Sequence, residues 1–257
     1  MLFVTGWGKY TTALMEKRKP IARQGLWRAQ GKQREIEVKL AVADVSAARR
    51  AIAALGASAS GGGRVHEMNT IYDTPNDTLR KRGHLLRLRV IRTERGRPAR
   101  KLAGRRWGVL THKGPSLREP QARGAAPRGS RYKERIESEV LVASARIAGQ
   151  ERMLRAAGFA PAFRYEKHRT SFRLPERIKW ARKLMIELDE TPAGAFLELE
   201  GPRRAIDRAA RLLGYSMADY ITRSYVALWS EHCRRGGLPW GDMLFGRTKP
   251  GAIRQKK

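Results

Sequence analysis

Charged and apolar side chains alternate in residues 34–40 of this chain. Glu35, Glu37 and Lys39 occupy every second position, so in a β-strand they share one face and the apolar residues between them share the other. Two carboxylates on one face favour a cation between them. A half-buried strand whose charged face lies in water shows the same pattern. This segment alone therefore leaves both interpretations open.

The same spacing of charges recurs in later segments. It is found at Arg87 and Arg89, at Arg135, Glu137 and Glu139, at Lys167 and Arg169, at Glu187 and Asp189, and at Glu198 and Glu200, while Lys113 follows Thr111 with the same parity. One strand can face water with its charges, but seven such strands indicate a closed sheet. The charged faces would then lie inside, and helices would cover the apolar faces outside.

The remaining elements follow from periodicity and from turn residues. About eight strands are predicted, at residues 34–40, 68–72, 85–90, 109–113, 132–141, 163–172, 184–189 and 196–200. Four helices are predicted from their start and end signals, at residues 44–55, 144–157, 202–213 and 217–233. Two stretches rich in Arg, Gly and Pro, residues 93–108 and 116–130, are interpreted as mobile loops.

The composition restricts the class of protein. The chain has 54 Lys and Arg against 24 Asp and Glu, a net charge of +30, which favours a polyanionic partner such as nucleic acid or a phosphorylated substrate. An arginine-favouring codon usage is an alternative source of this excess. The single cysteine, Cys233, excludes an internal disulfide and a thiolate metal cluster, so we expect a reducing, cytoplasmic setting. No apolar run predicts a membrane span or a signal peptide.

A barrel interior lined with charge requires compensation, because unpaired buried ions cost many kcal/mol. The inward carboxylates suit hard divalent cations such as Mg²⁺ or Mn²⁺; they are Glu35, Glu37, Asp189, Glu198 and Glu200. The inward basic residues suit phosphate oxygens; they are Lys39, Arg87, Arg89, Lys113, Lys167 and Arg169. A metal-bound polyphosphate would satisfy both sets.

The stretch from Glu35 to Lys39 matches the ExExK signature of the CYTH superfamily, the triphosphate tunnel metalloenzymes. Further matching segments follow in the family's order, at residues 72–75, 79–83, 86–89, 113–115, 135–139, 166–169, 186–189 and 196–200. Together they cover residues 34–228. The Lys-Gly-Pro segment followed by Arg-x-Glu-x-Glu is similar to the class IV adenylyl cyclase branch more than to animal thiamine triphosphatases.

This resemblance implies an α+β fold, an eight-stranded antiparallel closed β-barrel with helices packed on its outside. Residues 34–233 would form the tunnel domain, residues 1–33 a basic disordered arm or sequence upstream of the true start, and residues 234–257 a basic tail. The implied metal ligands for Mg²⁺ or Mn²⁺ are Glu35, Glu37, Glu198 and Glu200, with Asp189 as a supporting catalytic residue. The implied phosphate-binding residues are Lys39, Arg87, Arg89, Lys113, Arg135, Lys167 and Arg169.

The implied function is a metal-dependent enzyme acting on triphosphates, most like a class IV adenylyl cyclase that converts ATP to cyclic AMP and pyrophosphate. Hydrolysis of inorganic triphosphate, thiamine triphosphate or a nucleoside triphosphate would use the same tunnel and stays open. The long loops, arm and tail have no counterpart in compact cyclases, which leaves the substrate preference open.

A protein of another class, which binds nucleic acid or polyphosphate through its arm, loops and tail, is the alternative. Only Trp107 and Tyr132 lie among the Arg-rich segments, so a surface that reads bases is poorly supported. The five histidines lack ligand spacing and are interpreted as structural or exposed. Tyr220 and Tyr225 are predicted to lie in the last helix and to cover the outer apolar strand faces. The oligomeric state stays open.

Overall fold

The structure is a computed structural model. It describes residues 33–94, 106–117 and 131–246. Most of the predicted arm, the centres of both predicted loops and residues 247–257 of the predicted tail lie outside the described residues.

Eight antiparallel strands form one closed barrel. They are β1 (Gln33–Val42), β2 (Ser58–Asp73), β3 (Leu85–Thr93), β4 (Arg106–Lys113), β5 (Lys133–Ala143), β6 (Ala160–Arg173), β7 (Met185–Thr191) and β8 (Gly194–Glu200). Their order around the barrel is β1-β5-β4-β3-β2-β6-β7-β8, and β8 pairs with β1 to close it. This confirms the predicted fold. Closure removes the free edges that an open sheet would expose.

In the described part of the chain, five α-helices connect or cover the strands. They are α1 (Val45–Ala54), α2 (Thr78–Lys81), α3 (Ile147–Ala156), α4 (Arg203–Leu212) and α5 (Tyr225–Gly236). The Asp44 side chain caps α1, as predicted, by accepting a hydrogen bond from the Ser46 amide at 2.7 Å. The predicted second helix opens as a 3₁₀ turn, Ser144–Arg146, before α3. No helix in the described ranges is both long and apolar enough to cross a bilayer.

The predicted helix at residues 217–233 is wrong in its first part. Met217–Asp219 is a 3₁₀ turn, and Ile221 forms an isolated antiparallel bridge with Lys39 of β1. Each amide donates to the other residue's carbonyl at 2.9 Å. β1 pairs with β5 only as far as Glu37, so the backbone groups of Lys39 need another partner. That demand keeps residues 220–224 extended, and α5 begins at Tyr225.

The apolar core lies outside the barrel wall. The outward side chains of β1, β7 and β8 pack against α1 and α4 and are at most 1 % exposed; they are Val38, Leu40, Ile186, Leu188, Leu197 and Leu199. Burial of each such side chain stabilises the fold by about 1.5–3 kcal/mol. A second apolar cluster, with Leu88 of β3 and Leu154 of α3, covers the other side. Because the apolar faces of the strands pack against the helices outside the barrel, the charged faces line its interior.

Helix α5 and the chain that follows it close one end of the barrel. Tyr225 and Trp229 of α5 pack with Phe163 of β6 and Phe196 of β8. Met243 is fully buried, and its backbone hydrogen-bonds with β6 at 2.9 Å in both directions. Residues 234–246, which the sequence pattern assigns to a basic tail, contain the end of α5 and this buried methionine.

Candidate active site

A charged cavity occupies the barrel interior. Its walls include all but one of the predicted site residues, namely Glu35, Glu37, Lys39, Arg87, Arg89, Lys113, Arg135, Lys167, Arg169, Glu198 and Glu200. Asp189 lies directly behind the wall and is fully buried. The open space between these side chains is about 760 Å³, including the mouth to solvent. The structure thus brings the predicted residues together, while their individual roles stay predictions.

Strand register explains why the charges converge. On β1 and β8, Glu37 lies opposite Glu200 and Lys39 lies opposite Glu198. Side chains at paired positions point to the same side of a sheet. The same register places Glu35 opposite Arg135, Lys113 opposite Glu137 and Arg169 opposite Asp189, so inward charges meet across several strand pairs.

Asp189 is the centre of one buried network. The Arg169 guanidinium donates to both of its carboxylate oxygens at 2.6 Å, and the Lys167 ammonium lies 2.8 Å from Oδ2. The Tyr225 hydroxyl donates to the same Oδ2 at 2.6 Å. Arg169 also contacts Glu198. Asp189 therefore fixes the two cations that point toward the cavity.

Two lysines hold the carboxylates of β1. Lys113 Nζ lies 2.6 and 2.7 Å from the two carboxylate oxygens of Glu35. Lys39 Nζ lies 3.2 Å from Glu37 Oε1 and 3.0 Å from Glu198 Oε1. Burial lowers the pKa of each lysine, but these carboxylates outweigh that effect and raise each pKa above its ordinary value. Both lysines therefore stay charged.

Two arginines of the cavity, Arg87 of β3 and Arg135 of β5, have a donor to spare. Arg89 donates to Glu67 at 3.2 Å and to Asn69 at 3.0 Å, and Arg87 donates to the Tyr165 hydroxyl at 3.2 Å. Among the described residues, however, Arg87 Nε has no hydrogen-bond partner although it is buried, and neither has Arg135 Nε. Buried donors are normally satisfied. Phosphate oxygens in the cavity would supply the missing acceptors.

Residues 33–225 match the CYTH domain in a comparison with protein families. The chain belongs to the CYTH domain family. No curated protein shows a significant match to the sequence. Enzymes of this family generally use divalent metal ions.

Solved structures share the fold of this CYTH chain. A Vibrio parahaemolyticus protein provisionally named an adenylate cyclase is 23% identical with a TM-score of 0.57, over 78% of this chain and 99% of that one. A Pyrococcus horikoshii protein is 21% identical with a TM-score of 0.58, over 77% of this chain and 98% of that one. At these identities the likeness establishes the fold alone.

One carboxyl group in the CYTH cavity lacks a counter-ion. The carboxyl group of Glu200 forms no hydrogen bond or ion pair with any described side chain, and burial, then Glu35 and Glu187, raise its pKa well above the ordinary value. Burial raises the pKa of Glu187 to about 7 against the opposing effect of Arg169. Such mutual repulsion is relieved by a cation, and oxygen donors suit Mg²⁺ or Mn²⁺.

The donor set thus fits a divalent metal chemically, although it is not yet arranged around one. Among the described residues, no three carboxylate, histidine or cysteine side chains form a group that could hold a metal ion. Lys113 and Lys39 hold the carboxylates of Glu35 and Glu37. A metal would have to displace these lysines, which would then be available to an anion.

Several cavity residues are missing from the predicted site. Lys133 contacts Glu37 and lines the cavity, and its parity with Arg135 was a signal that could have found it. Glu67 lies behind the wall, where it binds Arg89 and Lys167. The predicted strand began at Met68, so the sequence pattern gave no signal for Glu67.

Tyr225 lies in the last helix, as predicted, but the prediction that it covers an outer strand face is wrong. Its side chain reaches into the barrel end, where the ring centroid lies 5.1 Å from both Lys39 Nζ and Lys167 Nζ. Tyr220 instead lies outside, with its hydroxyl 2.9 Å from Asp207. No local pattern distinguishes the two tyrosines, because only the packing of α5 decides which one enters. No described histidine lines the cavity.

Proposed function

We propose that this protein is a metal-dependent enzyme that acts on triphosphate substrates. The observation that carries the proposal is one cavity lined by eight basic and seven acidic side chains. Most of these ions pair with one another inside the barrel. A metal–triphosphate complex could exchange with them, because phosphate oxygens would take the lysines and arginines while the metal took the carboxylates. Such an exchange leaves no buried charge without a partner.

The chain's residues have separable tasks in this proposal. Glu35, Glu37, Glu198 and Glu200 would hold Mg²⁺ or Mn²⁺, which would neutralise phosphate oxygens and promote attack at phosphorus. The seven predicted basic residues, together with Lys133, would orient the triphosphate and retain the leaving group. Glu187, with a pKa of about 7, is the carboxylate suited to accept the proton of the attacking hydroxyl near neutral pH.

Cyclisation of ATP is the first reaction to test. The 3′-hydroxyl oxygen would attack the α-phosphorus, its proton would pass to a carboxylate, and pyrophosphate would leave along the basic side chains. Support comes from the resemblance of the Lys113 to Glu139 region to class IV cyclases and from the name of the Vibrio parahaemolyticus protein. Neither fixes the substrate of this chain.

Hydrolysis of a triphosphate is the second candidate, and one observation favours it. Of the described residues that line the cavity, only Tyr165 and Tyr225 are aromatic. Both hydroxyls are hydrogen-bonded to charged groups at the closed end, to Arg87 and Asp189 respectively. No described aromatic residue is thus left at the mouth to stack on adenine. A substrate without a base, such as inorganic triphosphate, needs none.

One assay separates these reactions. The purified protein is incubated with Mg²⁺ or Mn²⁺ and, separately, with ATP, inorganic triphosphate or thiamine triphosphate, while cyclic AMP, pyrophosphate and orthophosphate are measured. Orthophosphate release without cyclic AMP removes the cyclase proposal, and no turnover of any substrate removes both.

A pair of variants links turnover to the cavity. Glu37→Ala should abolish turnover because it removes a proposed metal ligand. The control is Glu190→Ala, whose side chain points outward from β7 and pairs with Arg49 and Arg64 on the surface. Equal loss in both variants would argue that folding, not the site, is affected.

A further inference from the structure

Helix α4 carries a row of arginines on its outer face. Its inner face, which includes Ile206 and Ala209, is fully buried against the barrel. Arg204, Arg208 and Arg211 are exposed, and their spacing of four and then three residues aligns them along one side of the helix. At 1.5 Å per residue the row is about 10 Å long. It faces away from the cavity.

A second basic segment runs beside this row. The Arg208 guanidinium lies over the Trp180 ring at 4.8 Å, which places residues 179–183 next to α4. The carbonyl oxygen of Lys183 approaches Gly201 so closely that a side chain there would collide with it. We call the exposed basic residues of both segments the α4 strip; they are Lys179, Arg182, Lys183, Arg204, Arg208 and Arg211.

The strip is not neutralised by the rest of the described protein. None of its six side chains forms an ion pair with a described residue, and Arg182 and Arg211 donate only to backbone carbonyls. The nearest helix carboxylate, Asp207, accepts instead from the hydroxyls of Tyr132 and Tyr220, at 2.7 and 2.9 Å. Inside the barrel, by contrast, carboxylates hold most of the cations. Like charges in a row repel one another, and a bound polyanion would relieve that repulsion.

We propose that the α4 strip binds the phosphate backbone of a nucleic acid. The row is extended and convex, so it presents successive cations to successive phosphates, whereas a single small anion needs donors that converge on one point. An independent observation agrees with this partner: the whole chain carries a net charge of +30, which favours approach of a polyanion. The proposal is separate from the proposed enzymatic function, because the strip and the cavity lie on opposite sides of the apolar layer under α4.

The test compares two variants of equal charge in the full-length chain. The strip variant combines Arg204→Gln, Arg208→Gln and Arg211→Gln. The control variant combines Arg146→Gln, Arg152→Gln and Arg155→Gln, which are exposed arginines on or next to α3. Binding of a fluorescent single-stranded RNA of about 20 nucleotides is measured by anisotropy over a KCl series, because phosphate contacts are salt-dependent.

We expect the strip variant to bind the RNA about tenfold more weakly at moderate salt. A plot of log affinity against log salt concentration should be shallower by about 2 in slope, which corresponds to three lost phosphate contacts. The control variant should change affinity by less than about twofold, since its arginines lie outside the strip. A third variant with lysine at the three α4 positions should retain binding. Wild-type melting and triphosphate turnover in the strip variant would show that the fold and the cavity are intact.

Three results would overturn the proposal. Equal losses in the strip and control variants would mean that only total charge matters. Unchanged RNA binding in a folded strip variant would mean that the RNA binds elsewhere. Loss of binding to inorganic polyphosphate or to anionic vesicles, with RNA binding retained, would assign the strip to another polyanion.

Discussion

Removal of the Asp189 charge should destabilise this protein more than any surface change of the same kind. Asp189→Asn keeps the size of the side chain, but Arg169 loses its two-oxygen partner at 2.6 Å and Lys167 loses its nearest carboxylate at 2.8 Å. Asp189 and Lys167 are almost fully buried, so water cannot replace the lost partner. The Tyr225 hydroxyl also loses its charged acceptor.

The expected loss of stability depends on the carboxylates that still contact Arg169 and Lys167 after the substitution. Removing one partner of a buried ion pair costs about 3–5 kcal/mol. Arg169 keeps Glu187 and Glu198, and Lys167 keeps Glu67 at 3.6 Å, so we expect the lower end, about 3 kcal/mol. For a domain of this size that is a fall in Tm of about 6–12 °C.

Urea unfolding followed by circular dichroism measures the change, provided that the m-value is unaltered. The matched control is Glu190→Gln, the next residue on β7. It points outward to Arg49 and Arg64, which are about a third exposed, and its loss should cost at most about 1 kcal/mol. Equal effects of the two substitutions would refute the argument that burial makes the Asp189 network strong.

Three further predictions concern single side chains. Burial raises the pKa of Glu67, but the attraction of Arg89 and other cations is stronger and leaves a pKa of about 2. The ionised Glu67 therefore stabilises the fold at pH values above its ordinary pKa of 4.5. This contribution is lost as the pH falls toward 2. Glu67→Gln should lower the free energy of unfolding by about 3 kcal/mol at neutral pH. Urea unfolding at several pH values should show that the difference in unfolding free energy between wild type and variant shrinks in acid. A difference that stays constant with pH would contradict this. Tyr225→Phe should cost about 2 kcal/mol, because one hydrogen bond to the carboxylate of Asp189 is lost while the ring packing is kept, and an unchanged urea midpoint would disprove it. Lys133→Gln should change the Tm only slightly, because Glu37 keeps Lys39 at 3.2 Å and because burial lowers the pKa of Lys133 and so disfavours its charge in the fold. The same variant should raise the KM for the triphosphate about tenfold, and a fall in kcat alone would exclude a binding role.

The sequence anticipated the barrel wherever a strand alternates cleanly. Glu35, Glu37 and Lys39 face inward because side-chain direction in a strand has a strict period of two. Where the local pattern fails, the prediction failed too. Residues 58–64, with three consecutive glycines, do not look like a strand, yet β2 begins at Ser58 because pairing with β6 holds it extended across a register shift.

The chain end shows the same limit. The pattern around Met217 is typical of a helix, but residue 221 is not helical, because the backbone of Ile221 forms hydrogen bonds with the backbone of Lys39. In the sequence Met243 falls within a polar tail, whereas in the structure it is fully buried beside β6. In both cases the deciding contact joins residues far apart in the chain, so no local propensity reports it.

The sequence by itself determined which charges share a face, because parity along a strand is a local property. Its ordered motifs also carried the resemblance to the CYTH family, which the family match over residues 33–225 confirms. Only the tertiary structure decided which ions pair, which end of the barrel closes, and that Tyr225 enters it. Those outcomes depend on the register between strands and on the docking of α5, which place Asp189, Arg169 and Tyr225 within hydrogen-bonding distance.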